Sequence, residues 1–126
     1  MIFIHKATLT PLEIEKRIEI DAKAIKLMMK KHFPFSQNLA ENGFTINEYA
    51  SVFELCKAPI AAKLLNTQPE LNVLMPCRIS VYQKDKITFV STPDLSVQLD
   101  ILVCNNELKE EILKLYNDIV SLIKKY

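Results

Sequence analysis

Residues 77–92 decide the predicted fold, and they read Cys-Arg-Ile-Ser-Val-Tyr-Gln-Lys-Asp-Lys-Ile-Thr-Phe-Val-Ser-Thr. Apolar side chains occur at every second position from Cys77 to Val81, which is typical of a half-buried strand. The polar segment Gln83–Lys86 then leads into a second β-rich segment, Ile87 to Thr92. Two such segments joined by a short polar connection predict a β-hairpin, and hence an antiparallel sheet.

Further strands are predicted on both sides of this hairpin. Ile2 to Ile4 and Tyr49 to Cys56 have the composition of strands, and Pro93-Asp94 ends the hairpin. The segment from Leu95 to Val103 fits two structures. Its apolar period of two suggests a strand, whereas the leucines at positions 95, 99 and 102 would also suit a short helix.

The first long helix has the clearest start signal in the chain, Thr10-Pro-Leu-Glu13. Thr10 can cap the helix, Pro11 suits its first position, and Glu13 can complete a capping box. Four apolar residues then recur at helical spacing and predict one buried stripe: Ile14, Ile18, Ala22 and Ile25. From the residues alone, the segment Leu27 to Phe33 fits either a strand or a continuation of this helix.

A second long helix is predicted at the end of the sequence, with Asn106 as its N-cap. Its apolar positions repeat at four-three spacing: Leu108, Ile112, Leu115, Ile119, Leu122 and Tyr126. Short helices are predicted at Ser36 to Asn42 and Ile60 to Asn66, with a loop from Thr67 to Glu70. The pattern indicates an α+β fold in one domain, residues 1–126: an antiparallel sheet covered on one face by two long helices.

Composition excludes several classes of function. The 126 residues carry 16 basic and 15 acidic side chains, a net charge of +1 that offers no electrostatic footprint for nucleic acid. No apolar run approaches the roughly 20 residues of a membrane span, and the segment from Met1 to Thr8 does not resemble a signal peptide. The single glycine, Gly43, excludes glycine-rich phosphate loops. Three cysteines without CxxC spacing indicate a reducing cytoplasm.

Two segments carry a resemblance to a known family. Residues 54–65 read Glu-Leu-Cys-Lys-Ala-Pro-Ile-Ala-Ala-Lys-Leu-Leu, and residues 74–82 read Leu-Met-Pro-Cys-Arg-Ile-Ser-Val-Tyr. Together with the strand and Pro93 that follow, they resemble the bacterial and archaeal family called domain of unknown function 302. The resemblance implies about five strands in the order β-α-β-β-β-β-α, a TATA-binding-protein-like arrangement without DNA binding. It also implies that Leu27 to Phe33 is the second strand.

The chain departs from that family pattern at two places. Lys26-Leu27 stands where the family usually has Gly-Phe, and Lys57-Ala58 stands where an asparagine would precede the proline. The family carries no established activity, so the resemblance implies an architecture and candidate positions rather than a reaction.

Cys56 is the first candidate for chemistry, because it ends a strand just before a helix that opens at Ala58-Pro59. Helix N-terminal amides and the neighbouring Lys57 would favour its thiolate. Cys77 could approach the same end of the sheet. The pair would then form a redox couple, two soft metal ligands or a thiol attachment point; alternatively, both are small buried apolar side chains.

Arg78 could bind a carboxylate or phosphate of a ligand, or form an internal ion pair with Glu54 or Asp94. The two histidines lack the spacing of a metal site, and His32 is predicted to be solvated. The acids Glu13, Glu15 and Glu19 are predicted to form a solvated helix face. Methionines at positions 28, 29 and 75 are predicted to fill the core rather than bind copper. No catalytic set, metal or cofactor is identified.

These observations predict a non-enzymatic module that forms a homodimer and binds a small ligand. Its predicted ligand site comprises Cys56, Lys57, Pro59, Pro76, Cys77 and Arg78. The alternative is a thiol-redox or metal- or haem-handling protein that uses Cys56 and Cys77. A third possibility is a domain that binds another protein through a sheet face or edge. Nucleic acid and membrane are not expected as partners, and the predicted location is cytoplasmic.

Overall fold

The structure is a computed structural model that describes residues 1–101 and 104–126. Five strands form one antiparallel sheet in the order β1-β5-β4-β3-β2. Their bounds are β1 Ile2–Lys6, β2 Met28–Pro34, β3 Ala50–Cys56, β4 Cys77–Lys84 and β5 Ile87–Pro93.

Five α-helices and one 3₁₀ helix connect and cover these strands. Their bounds are α1 Pro11–Ala24, α2 Phe35–Glu41, α3 Ala58–Thr67, the 3₁₀ helix Pro69–Leu74, α4 Leu95–Ile101 and α5 Asn106–Ile123. The predicted α+β class and the five-stranded antiparallel sheet are confirmed. Within the described residues, no helix combines the length and the apolar character needed to cross a membrane.

The predicted hairpin pairs β4 with β5, with Val81 opposite Val90. Its turn contains only two residues, Asp85 and Lys86, whose φ angles are 53° and 66°. Positive φ at both positions matches the right-handed twist of the flanking strands. The backbone N–H groups of both residues donate to the Glu48 carboxylate at 2.9 Å, which holds the turn closed.

The capping box of α1 forms as predicted. The backbone N–H of Glu13 donates to Thr10 Oγ1 at 3.3 Å, and the backbone N–H of Thr10 donates to Glu13 Oε1 at 3.2 Å. The helix ends at Ala24, and the chain then enters β2. The resemblance was therefore right about a strand in the segment that the residues alone left open.

Several sequence predictions need correction or completion. The N-cap of α5 is Asn105, not Asn106, because the Asn105 side chain accepts from the backbone N–H groups of Glu107 and Leu108 at 3.0 and 3.2 Å. The loop predicted from Thr67 to Glu70 is wrong, since Thr67 ends α3 and Pro69 begins the 3₁₀ helix.

The segment after Pro93 forms a helix over Leu95–Ile101, so the helical alternative is right for those residues. The Asp94 carboxylate accepts from the backbone N–H groups of Ser96 and Val97 and stabilises the start of this helix. Leu102 and Val103, to which the same prediction extended, lie outside the described residues.

His32 is not solvated, contrary to prediction. Its strand position places it opposite Phe53 on the covered face, and the two rings stack with centroids 4.2 Å apart. His32 Nε2 lies 3.5 Å from Glu15 Oε1, and Glu15 also accepts a hydrogen bond from the Tyr49 hydroxyl. Glu15 therefore belongs to a partly buried polar cluster rather than to a solvated face.

The buried residues form two separate clusters. We call the larger one the sheet core; it lies between one face of the sheet and helices α1 and α5, with Phe53, Ile79 and Val90 among its members. We call the smaller one the end core; it is built from α3, the 3₁₀ helix, α4 and the first part of α5, with Leu64 and Leu99 among its members. The predicted stripe of α1 supplies the sheet core, and the predicted stripe of α5 supplies both clusters.

Tyr126 closes the sheet core, where its side chain is only 1% exposed. Its hydroxyl donates to Asp21 Oδ2 at 2.8 Å. Burial, and then this hydrogen bond to a carboxylate, raise the pKa of Tyr126 above its usual range. Ionisation is therefore harder in the folded chain than in the unfolded chain.

We expect the free energy of unfolding to fall as the pH rises above about 10, the ordinary tyrosine pKa. The unfolded chain then loses the phenol proton while the folded chain retains it, and the difference favours unfolding. Urea unfolding between about pH 9 and pH 11 measures the slope. Tyr126→Phe should give a flatter profile, and an equally steep profile for that variant would contradict the assignment.

Candidate functional site

A cavity of about 300 Å³ lies where the sheet core meets the end core. We call it the seam cavity. Its walls come from β3, α3, the 3₁₀ helix, α5 and the segment before β4, with one residue each from β2, β4 and α4. The lining residues are Lys30, Leu55, Cys56, Lys57, Ile60, Ala61, Leu64, Asn72, Leu74, Met75, Pro76, Cys77, Leu95, Ile112 and Leu115.

The sheet register explains why the two predicted cysteines reach one cavity. Cys56 is the last residue of β3 and Cys77 is the first residue of β4. Because these strands are antiparallel, with Leu55 opposite Cys77, both residues stand at the same end of the sheet. The chain enters α3 immediately afterwards, with Pro59 in its first turn, and this helix forms the facing wall.

The wall of the seam cavity is mostly apolar. Leucine, isoleucine, alanine, methionine and proline side chains make up most of it, and Lys30, Lys57 and Asn72 supply the strongly polar groups. Apolar pockets with a few polar groups are typical of sites for small organic ligands, and a volume of about 300 Å³ is at the small end of their range.

The Cys77 thiol is held in its neutral form. Burial raises the pKa of Cys77 to about 11, and the nearby Cys56 would raise it further if it were charged, while Arg78 acts weakly in the opposite direction. A redox thiol needs the opposite shift, because the thiolate is the reactive species. All three cysteines, including Cys104 outside the cavity wall, are free.

Four of the six predicted site residues line the seam cavity: Cys56, Lys57, Pro76 and Cys77. Pro59 does not line it and faces an adjacent hollow, which Lys57 also borders. Arg78 lies on the other face of the sheet, where its Nε is 3.4 Å from Glu54 Oε2. The predicted ion pair with Glu54 is confirmed, and a further shallow hollow includes Arg78 with Pro76 and Cys77.

Sequence reasoning missed most of the apolar wall. Leu64, Leu95, Ile112 and Leu115 come from three helices that are distant in the sequence. The apolar stripe of α5 was recognisable in the sequence, but it did not indicate which of its residues would line a cavity. Met75 also lines the cavity, after a chain reversal in which the Met75–Pro76 peptide is cis.

A metal centre receives no support from the acidic and histidine side chains. Among the residues that the structure describes, no group of three or more histidine, cysteine, aspartate or glutamate side chains could hold a metal ion. Cys56, Cys77 and Met75 are the soft donors that share the seam cavity.

Comparison with known proteins gives a consistent result. A family model described as domain of unknown function DUF302 matches residues 4–126. A similar solved structure is the crystal structure of an uncharacterized conserved DUF302 protein from Bacillus stearothermophilus, at 20% sequence identity and a TM-score of 0.83. The match covers 97% of this chain and 94% of that chain. No curated protein sequence matches this chain.

The raised pKa of Cys77 predicts a slow thiol. In the double variant Cys56→Ser, Cys104→Ser, we expect iodoacetamide to modify Cys77 at neutral pH at least about tenfold more slowly in the folded chain than in urea. The rate in the folded chain should increase as the pH approaches 11. Mass spectrometry of timed samples measures both rates. Equal rates in the folded and unfolded chains would show that Cys77 is accessible and ionised, as a redox thiol requires.

Proposed function

The chain belongs to the family of domain of unknown function DUF302, and we propose that it is a single domain that binds a small apolar ligand without catalysing a reaction. The proposed site is the seam cavity. The observation that carries this proposal is the cavity itself, about 300 Å³ of space with a largely apolar wall. The fold similarity to the Bacillus protein supports the architecture alone, because the two sequences are only 20% identical.

Physical chemistry favours a ligand in this space. A ligand that fits against an apolar wall makes dispersion contacts with it and removes its apolar surface from water. Water gains little there, because it needs two to four polar partners, and most of this wall offers none. A compact apolar molecule would make these contacts, as benzene does in an engineered apolar cavity.

The alternative function, thiol redox or metal or haem handling through Cys56 and Cys77, remains a prediction. Their shared position on the cavity wall supports it, whereas the raised pKa of Cys77 disfavours the redox form. We infer a reducing cytoplasmic location from the three free cysteines. The TATA-binding-protein-like classification likewise remains a prediction, and it implies no nucleic-acid binding.

We also propose that the protein is a homodimer that associates through the second face of the sheet, opposite the sheet core. The strand register places apolar side chains on that face, among them Ile2, Ile4, Phe33, Val52, Tyr82, Ile87, Phe89 and Pro93. Ile2 and Ile4 are 64% and 53% exposed. Exposed apolar side chains on a sheet face are typical of an interface, and the partly exposed Phe33, Val52, Tyr82 and Phe89 would add to the buried area.

The charges on the second face suit a second copy of the chain. Arg78 and Glu54 lie side by side near its centre, with Lys31 opposite Glu54 on β2. In a two-fold symmetric contact, Arg78 of one protomer can therefore meet Glu54 of its partner, and the same pair forms again by symmetry.

Filling the seam cavity should abolish ligand binding. Ala61 lines the cavity, whereas the adjacent Ala62 is exposed on the outer side of α3. We expect the neutral fluorescent probe N-phenyl-1-naphthylamine to bind the unmodified protein saturably, and Ala61→Leu to weaken binding more than about tenfold by occupying the space. Fluorescence titration measures the affinity.

Ala62→Leu is the matched control, because it adds the same group to the same helix on the solvent side. It should leave probe affinity unchanged. The melting temperature of Ala61→Leu should equal or exceed that of the unmodified protein, since the new side chain fills a void. Undiminished binding in a folded Ala61→Leu variant would contradict the proposed site.

The dimer proposal predicts that a charge on the second face dissociates the protein. Ile4→Lys should give a monomer by light scattering coupled to size-exclusion chromatography, because two lysines cannot be buried across a two-fold apolar contact. Ile20→Lys is the control, since Ile20 is 71% exposed on α1, away from the second face. The control should stay dimeric, and a monomeric unmodified protein across a dilution series would contradict the proposal.

A further inference from the structure

Lys57 occupies the boundary between the seam cavity and solvent. It is the residue before α3, and its side chain lines the cavity while remaining 21% exposed. Its Nζ lies 3.9 Å from Asp118 Oδ2 on α5, a distance at the outer limit of an ion pair. Lys57 does not cap α3 through its side chain. The ammonium group is therefore available for another partner at the cavity mouth.

The charge of the cavity wall has one sign. Lys30 and Lys57 are its charged members, and within the described part of the chain no aspartate or glutamate lines the cavity. Because both lysine side chains reach solvent, a ligand that places its apolar part inside can leave its polar end near their ammonium groups. Such an arrangement favours an anionic end and disfavours a cationic one.

The ion pair between Lys57 and Asp118 is weak enough for a ligand carboxylate to replace Asp118. An ion pair at 3.9 Å between two partly exposed side chains contributes little to stability. A ligand carboxylate seated at the mouth could instead make a charge-assisted hydrogen bond of about 2.8 Å, which is considerably stronger. Asp118 would then turn to solvent, where 36% of its side chain is already exposed.

The cavity volume limits the size of the apolar part. About 300 Å³ holds roughly ten groups of the size of a water molecule or a methylene. This corresponds to an unbranched chain of about eight to ten carbons. Longer chains would have to leave the cavity through its mouth and expose apolar surface to water.

Resting on the proposed binding function, we propose that the ligand is a medium-chain carboxylate, whose alkyl chain fills the seam cavity and whose carboxylate binds the ammonium group of Lys57 in place of Asp118. Lys57 is then the residue that determines head-group specificity. The apolar wall determines chain length.

Competition against N-phenyl-1-naphthylamine tests this assignment with three ten-carbon probes that differ only in their end group: decanoate, decanol and decylamine. At about pH 8 decanoate is fully ionised. We expect decanoate to displace the probe at concentrations at least about tenfold lower than decanol does, and decylamine to be the weakest. Lys57→Met should abolish the preference for decanoate over decanol while leaving decanol affinity unchanged.

Four further variants complete the test. Asp118→Asn should strengthen decanoate binding a few-fold, because it removes the competing carboxylate. Lys23→Met, on the exposed side of α1, should leave the affinities for decanoate and decanol unchanged. Circular dichroism checks that each variant is folded, and Lys57→Gln repeats the test if Lys57→Met is not. Lys30→Met should have a smaller effect than Lys57→Met, because Lys30 is exposed to solvent.

The failure of this inference can be distinguished from the failure of the proposed function. Equal affinities for decanoate and decanol, or a head-group preference that survives Lys57→Met, would overturn the role of Lys57 and leave the apolar site intact. If neither the probe nor any ten-carbon compound binds, the proposed function fails, and the inference that rests on it fails as well.

Discussion

The apolar face of α5 is the constraint on which the rest of the structure depends. An 18-residue helix is about 27 Å long, and its apolar residues contribute to both buried clusters. Its second half packs on the sheet core through Ile119 and Leu122, while its first half supplies Leu108 and Ile112 to the end core. Two cores built on one rigid helix meet at Leu115, and the space left between them is the seam cavity.

Local chemistry made much of this fold predictable. The capping box at Thr10, the hairpin around Asp85 and the stripe of α5 depend on residues close together in the sequence, and each forms as expected or nearly so. The predictions that were wrong concern residues whose environment is set by partners distant in the sequence. His32 was predicted to be solvated because its neighbours are lysines, yet strand pairing stacks it on Phe53.

The candidate site was predictable only in part for the same reason. Cys56 and Cys77 could be expected at one end of the sheet because Cys56 ends one predicted strand and Cys77 begins the next, and the structure pairs these two strands. The apolar wall of the seam cavity could not be predicted, since it depends on the relative positions of α3, α4 and α5. The sequence also could not separate a reactive thiol from a buried one. That difference depends on the desolvation that raises the pKa of Cys77.

The physical character of the seam cavity supports the proposed binding of an apolar ligand. Burial keeps the Cys77 thiol on its wall neutral, the Lys30 and Lys57 side chains reach solvent, and most of the wall offers dispersion contacts alone.

The most direct test of this account is a crystal structure of the protein under xenon pressure, because xenon enters dry apolar cavities regardless of the natural ligand. The account predicts a strong anomalous peak in van der Waals contact with Leu55, Leu64 and Leu115. A cavity filled by hydrogen-bonded water, or closed by inward rotation of those side chains, would contradict the claim that the two cores enclose an apolar binding site.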